Sequence, residues 1–439
     1  MKASVFSSTE ETKWAQGHIE ETNNIQSVNL IVKEEQPYEW MGFGGCFNEL
    51  GKIGLDGLPV EKASAVMDSL FGPDSDLQME FCRLPIGASD YAAEWYSLNE
   101  TKGDLAMEHF SIERDKQILI PYIKEALKRN PDIRFFASPW SPPTWMKHPP
   151  VYNFGTLIWT EKILTAYALY FVKFIEAYRN EGIKIHQLHV QNEICADQKF
   201  PSCVWTADQL AEFIKDYLSP AFKAHNIDTE IWLGTINAPE TEECDFDYIA
   251  FKILSDENVR KHIKGVAYQW AGKNAVLRTH ESFPDIQIIQ SENECGDGGN
   301  TWPYAKYVYK LMRHYITSGV RAYVYWNMVL NSKNGASTWG WTQNAMITAE
   351  NGQAVYNHEF YVMKHLSKYV HKGSRVLKTE GMFSSMAMAF VNEKGQYVVS
   401  VMNPIDKSFT LKLKINDRIY KTELAPDSIH TIVLGDEKS

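Results

Sequence analysis

The run IQIIQSENE, residues 286–294, is an apolar, strand-like segment that ends on two glutamates, Glu292 and Glu294. Burying a carboxylate is costly, so a core strand that stops on an acid is presenting that acid at the edge of the core. Seven other runs have the same build: MGFGGCFNE (41–49), EFCRLPIGASD (80–90), IRFFASPW (133–140), QLHVQNE (187–193), EIWLGTIN (230–237), GVAYQWAG (265–272) and RAYVYWNMVLN (321–331). Helix-periodic segments lie between them. TEKILTAYALYFVKFIEAYRNEG (160–182) opens at Thr160 and closes at Gly182, a cap signal at each end. Thr206 stands three residues before Gln209, the spacing of a capping box. TWPYAKYVYKLMRHYITSG (301–319) and NHEFYVMKHLSKYV (357–370) read alike, and GKNAVLRTHESFP (272–284) is the weakest helical stretch. Eight strand–helix alternations predict an α/β fold, a closed parallel (β/α)8 TIM barrel over residues 39–369. An open doubly wound sheet is the competitor, but no GxGxxG follows any of the strands.

After residue 370 the character changes. Phe409, Leu411, Leu413 and Ile415 alternate with Thr410, Lys412 and Lys414, the period of a half-buried antiparallel strand. Turn signals (NEKG, NPID, APDS) recur at strand-length intervals. Some 70 residues make a thin sandwich, and SVNLIVKEE (27–35) offers it another strand. Residues 1–38 are therefore expected to join 370–439 in a small β-sandwich side domain.

Of the 439 residues, 44 % are hydrophobic and 23 % charged, an ordinary globular composition with a net charge of −11. Such acidity disfavours nucleic acid and anionic membranes as partners. A neutral or cationic ligand is compatible. Six cysteines are scattered without a CxxC pair and read as reduced, mostly buried thiols. The start of the chain turns polar after six residues, so the expected location is cytoplasmic, or secreted if a leader is removed. No metal or other cofactor is expected: His186 and His189 lie on a strand-like run without a metal motif, and DFD (245–247) precedes a helix; both read as structural.

In such a barrel the catalytic groups sit at the C-terminal ends of the strands. Those ends read Asn48/Glu49, Asp90, Trp140, Asn192/Glu193, Asn237, Trp270, Glu292 and Trp326: carboxylates, amides and indoles. Strand parity places His189, Gln191 and Glu193 toward the barrel axis and Leu188 and Val190 toward the helices. It puts Glu292 on one face with Ile288 and Gln290. Both glutamates are then expected to face the mouth, three strands apart. Two carboxylates across a pocket, one protonated and one ionised, are the minimal equipment for breaking a glycosidic bond. Indoles suit the C–H faces of a pyranose, and Trp339 and Trp341 follow the eighth strand.

The segments GFGGCFNE, CRLPIGASDYA, ASPWSPPTWMK, QNE, SENECG, YWNMVLN and GWTQNAMIT resemble, in order, glycoside hydrolase family 30, the glucosylceramidase-like retaining β-glycosidases. The resemblance implies Glu193 as general acid/base, Asn192 as the amide at the sugar 2-hydroxyl, and Glu292 as nucleophile. It implies Asp90 and Trp140 as the grip on the terminal sugar, with Trp326 and Asn344 as further pocket-lining residues. Trp270 stands where some relatives carry a tyrosine next to the nucleophile, which leaves open what hydrogen-bonds to Glu292 there. Glu294, one step into the CGDGGN loop, is read as that loop's anchor. QNEI replaces the QNEP of many relatives, leaving the aglycone preference open. The expected substrate is a β-glucoside or β-gluco-oligosaccharide, of β-1,6-glucan or glucosylceramide type. β-Xylosidase or β-fucosidase activity, or a sugar-binding barrel without catalysis, are the alternatives.

Overall fold

The computed structural model describes residues 2–238, 249–332 and 337–435, with the backbone alone at 35–37. Cys244 and the DFD stretch lie outside the described residues. Eight parallel strands close into a barrel: Gly42–Cys46, Phe81–Ile86, Arg134–Pro139, Ile185–His189, Glu230–Ile236, Gly265–Gln269, Gln287–Glu292 and Ala322–Asn327. They are numbered one to eight below. Strand eight pairs back to strand one through Ala322↔Gly42 and its neighbours. All eight strand-like runs of the sequence are barrel strands.

Alternation sorts each strand's side chains into two cores. Phe81, Phe136, Trp232, Ala267, Ile289 and Val324 pack inside the barrel. Cys82, Phe135, Leu188, Val266, Ile288 and Tyr323 face the helix layer. Strand one can lie against strand two only because residue 44 is glycine: a Cβ there would sit 1.6 Å from the Phe81 carbonyl oxygen. The long helix after strand three runs Glu161–Asn180. Thr160 occupies its N-cap position, but the hydroxyl accepts no capping bond. Gly182 ends the segment in the left-handed region at φ 80°. Thr206 and Gln209 form the full capping box. No described helix is long and apolar enough to cross a membrane.

The side domain is one continuous ten-stranded sheet drawn from both ends of the chain. Ala3–Ser8 pairs antiparallel with the last strand, Ser428–Leu434. Leu30–Glu39 lies between Arg375–Glu380 and Phe409–Ile415. Val5, Leu30, Val399, Leu413 and Ile432 share one core, so the sheet wraps around itself. The predicted alternation holds: Leu411, Leu413 and Ile415 are buried. This domain packs on the barrel's helices, where His365 joins Ser8 and Thr431 (both 2.9 Å) and Lys306 meets Asp427 at 2.6 Å.

Candidate active site

Glu193 and Glu292 reach the same cavity by different backbone routes. Strand four leaves strand geometry after His189, and Glu193 takes the left-handed φ of 50°. Thr235 Oγ1 holds that turn by accepting the Glu193 N–H at 3.0 Å. The parity expected for strand four is observed: Leu188 and Val190 pack outward, while His189 stacks between Phe136 and Trp232 inside.

Strand seven departs from its expected parity. Ile288 belongs to the outer core and Ile289 to the inner one. Continued alternation would turn Glu292 outward. The pairing with strand six slips at this point, from Tyr268↔Gln290 to Gln269↔Glu292, leaving Ser291 as the extra residue. This bulge resets the alternation and brings Glu292 into the mouth.

Beneath the two glutamates lies Arg83, fully buried on strand two. Its Nη1 donates to Glu292 Oε2 at 2.7 Å, and its Nη2 to Asn192 Oδ1 at 2.6 Å and Ser138 Oγ at 2.8 Å. The guanidinium also lies 4.4 Å from the Trp140 ring centroid. Gln269 Nε2 stands between the acids, 3.2 Å from Glu193 Oε1, 3.3 Å from Glu292 Oε2 and 3.2 Å from Asn192 Oδ1. Through that shared nitrogen these two carboxylate oxygens are at most about 6.5 Å apart, no wider than the lower end of the range used by inverting glycosidases. The Trp270 indole N–H donates to Glu292 Oε1 at 3.3 Å, which supplies the partner the sequence left open.

The electrostatics separate the pair. Burial, with the neighbouring charge of Glu292, pushes the Glu193 carboxyl up to about 8. Burial pushes Glu292 upward as well, but Arg83, the Trp270 indole and Gln269 all pull against it. Glu193 has Gln269 and the more distant Arg83 charge on its side. Arg83 in direct contact makes Glu292 the more acidic of the two. Asp90 is raised well above the usual carboxylate range by burial and by both glutamates.

Asp90, Glu193 and Glu292 line a cavity of about 340 Å³ together with Trp140, Asn192, Trp270, Trp339 and Trp341. A cavity of about 400 Å³ lies elsewhere, between barrel and side domain, but its acidic lining residues Asp74 and Glu393 are exposed. Chemistry rather than size marks the site.

Two expected pocket residues stand behind the lining. Trp326 is buried, its ring 5.5 Å from that of Trp140 and 6.1 Å from that of Tyr91. Asn344 is fully buried. Its Oδ1 accepts the Gly298 N–H at 2.8 Å, and its Nδ2 donates to Glu359 at 2.7 Å. It therefore ties the loop after strand seven to the helix His358–Ser367 that follows strand eight, and the adjacent Gln343 lines the cavity in its place. Gly296, at φ 64°, lies in that loop where an added Cβ would sit 2.8 Å from the Asn344 side chain. Glu294 serves as an anchor: its carboxylate meets Lys273 and the Tyr307 hydroxyl, each at 2.7 Å. His186 accepts the Phe135 N–H at 3.2 Å, a structural role.

Arg83 and Gln269 were not singled out in the sequence. Arg83 shares strand parity with Phe81, and a lone cation among apolar strand residues facing the barrel axis was the available signal. Gln269 shares parity with Ala267 next to Trp270, but a buried glutamine carries no such mark.

The Glycosyl hydrolase family 30 TIM-barrel domain model matches residues 40–370, and the Glycosyl hydrolase family 30 beta sandwich domain model matches residues 373–432. The chain is 28 % identical to the putative glucosylceramidase 3 of Caenorhabditis elegans, across 94 % of this chain and 84 % of that one. It is 23 % identical to the endo-1,6-beta-D-glucanase BGN16.3 of Trichoderma harzianum, across 90 % and 84 %. The crystal structure of SrfJ from Salmonella typhimurium superposes with a TM-score of 0.89 at 24 % identity, covering 100 % of both chains.

Proposed function

The chain belongs to glycosyl hydrolase family 30, and from that premise we propose that it hydrolyses β-glucosides with retention, Glu292 acting as nucleophile and Glu193 as acid and then base. The observation that carries this reading is the shared Gln269 nitrogen, which holds two buried carboxylates close together while Arg83 charges only one of them directly.

Glu292 Oε2 is occupied by Arg83 and Gln269. Oε1, held by the indole at 3.3 Å, attacks the anomeric carbon. Glu193, protonated up to about pH 8, donates to the departing glycosidic oxygen. Once the glycosyl ester forms, the charge on Glu292 is gone and the pressure keeping Glu193 protonated falls. The freed Glu193 carboxylate then takes a proton from the water that attacks C1. Asn192 Oδ1 is engaged by Arg83 and Gln269, which leaves its Nδ2 as donor for the 2-hydroxyl. Trp140, stacked on Arg83, offers a ring face to the sugar, and Asp90 accepts its distal hydroxyls.

The choice of glucose rests on the relatives: the names of a putative glucosylceramidase and an endo-1,6-beta-D-glucanase both carry glucose, and the second names it as β-linked. A screen of aryl β-glycosides of glucose, xylose, fucose, galactose and glucuronic acid, followed by NMR of the first-released anomer, tests the reading. The glucoside should turn over fastest and release β-glucose first. Release of the α-anomer first would refute retention, and preference for another sugar would refute the substrate.

A further inference from the structure

Lys147, in the loop that follows strand three, is 1 % exposed. Its ammonium group donates to Ser141 Oγ at 3.0 Å, the Tyr152 carbonyl at 2.9 Å and the Ser202 carbonyl at 2.6 Å. Those bonds use the full donor capacity of a lysine, and none of the acceptors is a carboxylate. Burial pulls the ammonium down to about 8, so at neutral pH it keeps its charge and all its donors. A buried cation without a paired anion is costly, and a methionine of similar length would fill the space without that cost. What the charge holds is a seam between two loops. Ser141 and Tyr152 belong to the loop after strand three, Ser202 to the loop after strand four. Ser202 Oγ is the hub of that seam: it accepts the Phe154 N–H at 3.0 Å and the Gln198 N–H at 3.1 Å, and donates to the Gln198 carbonyl at 3.1 Å. Asp197 accepts the Gly155 N–H at 2.8 Å and joins the same two loops again.

The loop fixed in this way carries Gln198 and Phe200 into the lining of the cavity. Phe200 packs against Trp339, ring centroids 5.1 Å apart, and Trp339 against Trp341 at 5.3 Å. The two glutamates are held from other elements. Thr235 and Gln269 hold Glu193; Arg83, Gln269 and Trp270 hold Glu292. None of these partners lies in the loops that Lys147 joins. Removing the cation should therefore loosen one wall of the cavity and leave the reacting groups in place. A wall that touches the substrate alike in the ground state and the transition state acts on KM and not on kcat.

We propose that Lys147 is a positioning residue for substrate binding: it holds the loop after strand four so that Gln198 and Phe200 form one wall of the cavity. This inference rests on the glycosidase reading above, and its test separates the two. Steady-state kinetics on p-nitrophenyl β-glucoside are compared for the wild type, Lys147→Met, Gln198→Ala/Phe200→Ala and the triple variant. Lys147→Met should raise KM about five- to tenfold and change kcat less than about threefold. In the Gln198→Ala/Phe200→Ala background the same substitution should move KM less than about twofold, because the wall it acts through is gone. Ser202→Ala keeps the carbonyl that Lys147 reaches and removes only the hydroxyl hub, so it tests the same chain of contacts should Lys147→Met fail to fold. It should raise KM about threefold in the wild-type background and leave it unmoved in the double variant. An unchanged KM, an equal rise in both backgrounds, or a loss confined to kcat would overturn the proposal while leaving the glycosidase reading intact. A wild type that does not hydrolyse the glucoside would strike that reading, and the proposal with it.

Discussion

The ends of strands four and seven each deliver one glutamate to the cavity, and they surround it differently. Glu193 is held through its backbone: Thr235 fixes the turn, and among the described residues only an amide, Gln269, donates to the carboxyl. Glu292 is held through its side chain by a guanidinium, an amide and an indole. Buried alike, the two are tuned apart by one cation, because a carboxyl without a countercharge in a dry site keeps its proton. A proton donor and an anion can then coexist a few ångströms apart in a neutral solution.

The largest test of that difference is Glu292→Ala, which should lower kcat by about 10⁵-fold. Azide should restore part of it and yield an α-glucosyl azide, detectable by NMR. A β-azide from this variant would exchange the two roles. Next, Glu193→Gln should cost about 10²–10⁴-fold on poor leaving groups, with far less loss on a dinitrophenyl glucoside, which departs without a proton. Arg83→Met should lower kcat by about 10²–10³-fold and reduce stability by ~3–5 kcal/mol, since it strands a buried carboxylate. Denaturant titration reads the second effect.

Smaller effects follow from pH. Glu193 must be protonated to act, so kcat/KM should fall as the pH rises through about 8. Its folded value exceeds the ordinary 4.5, so the native state holds a proton the unfolded chain has released, and Glu193 lowers stability progressively from about 4.5 to 8. Glu193→Gln removes that cost. Its Tm should therefore exceed the wild type's, by more near pH 9 than near pH 5. Glu294→Gln, which touches only the loop anchor, should change kcat less than about tenfold.

The barrel was legible because each strand is a short apolar run closed by a polar residue, and the helices between them carry caps such as Thr206–Gln209. The side domain was legible in the alternation at 409–415. Glu193 was legible from parity. Glu292 was found by its place at the strand end, while the parity offered for it was incorrect: Ile288 and Ile289 are both apolar, so nothing in the sequence marks the slip at Ser291. Arg83 went unread although its parity with Phe81 placed it on the axis. Asn344 is placed at the pocket by the family resemblance alone; its partner Glu359 lies 15 residues on, in a helix, and that pairing has no local signature.

The most direct test of the division of labour is to trap the enzyme with an activated 2-deoxy-2-fluoro-β-glucoside, digest it and sequence the labelled peptide by mass spectrometry. The label should sit on Glu292. A label on Glu294, two residues away, or on Glu193 would contradict the account.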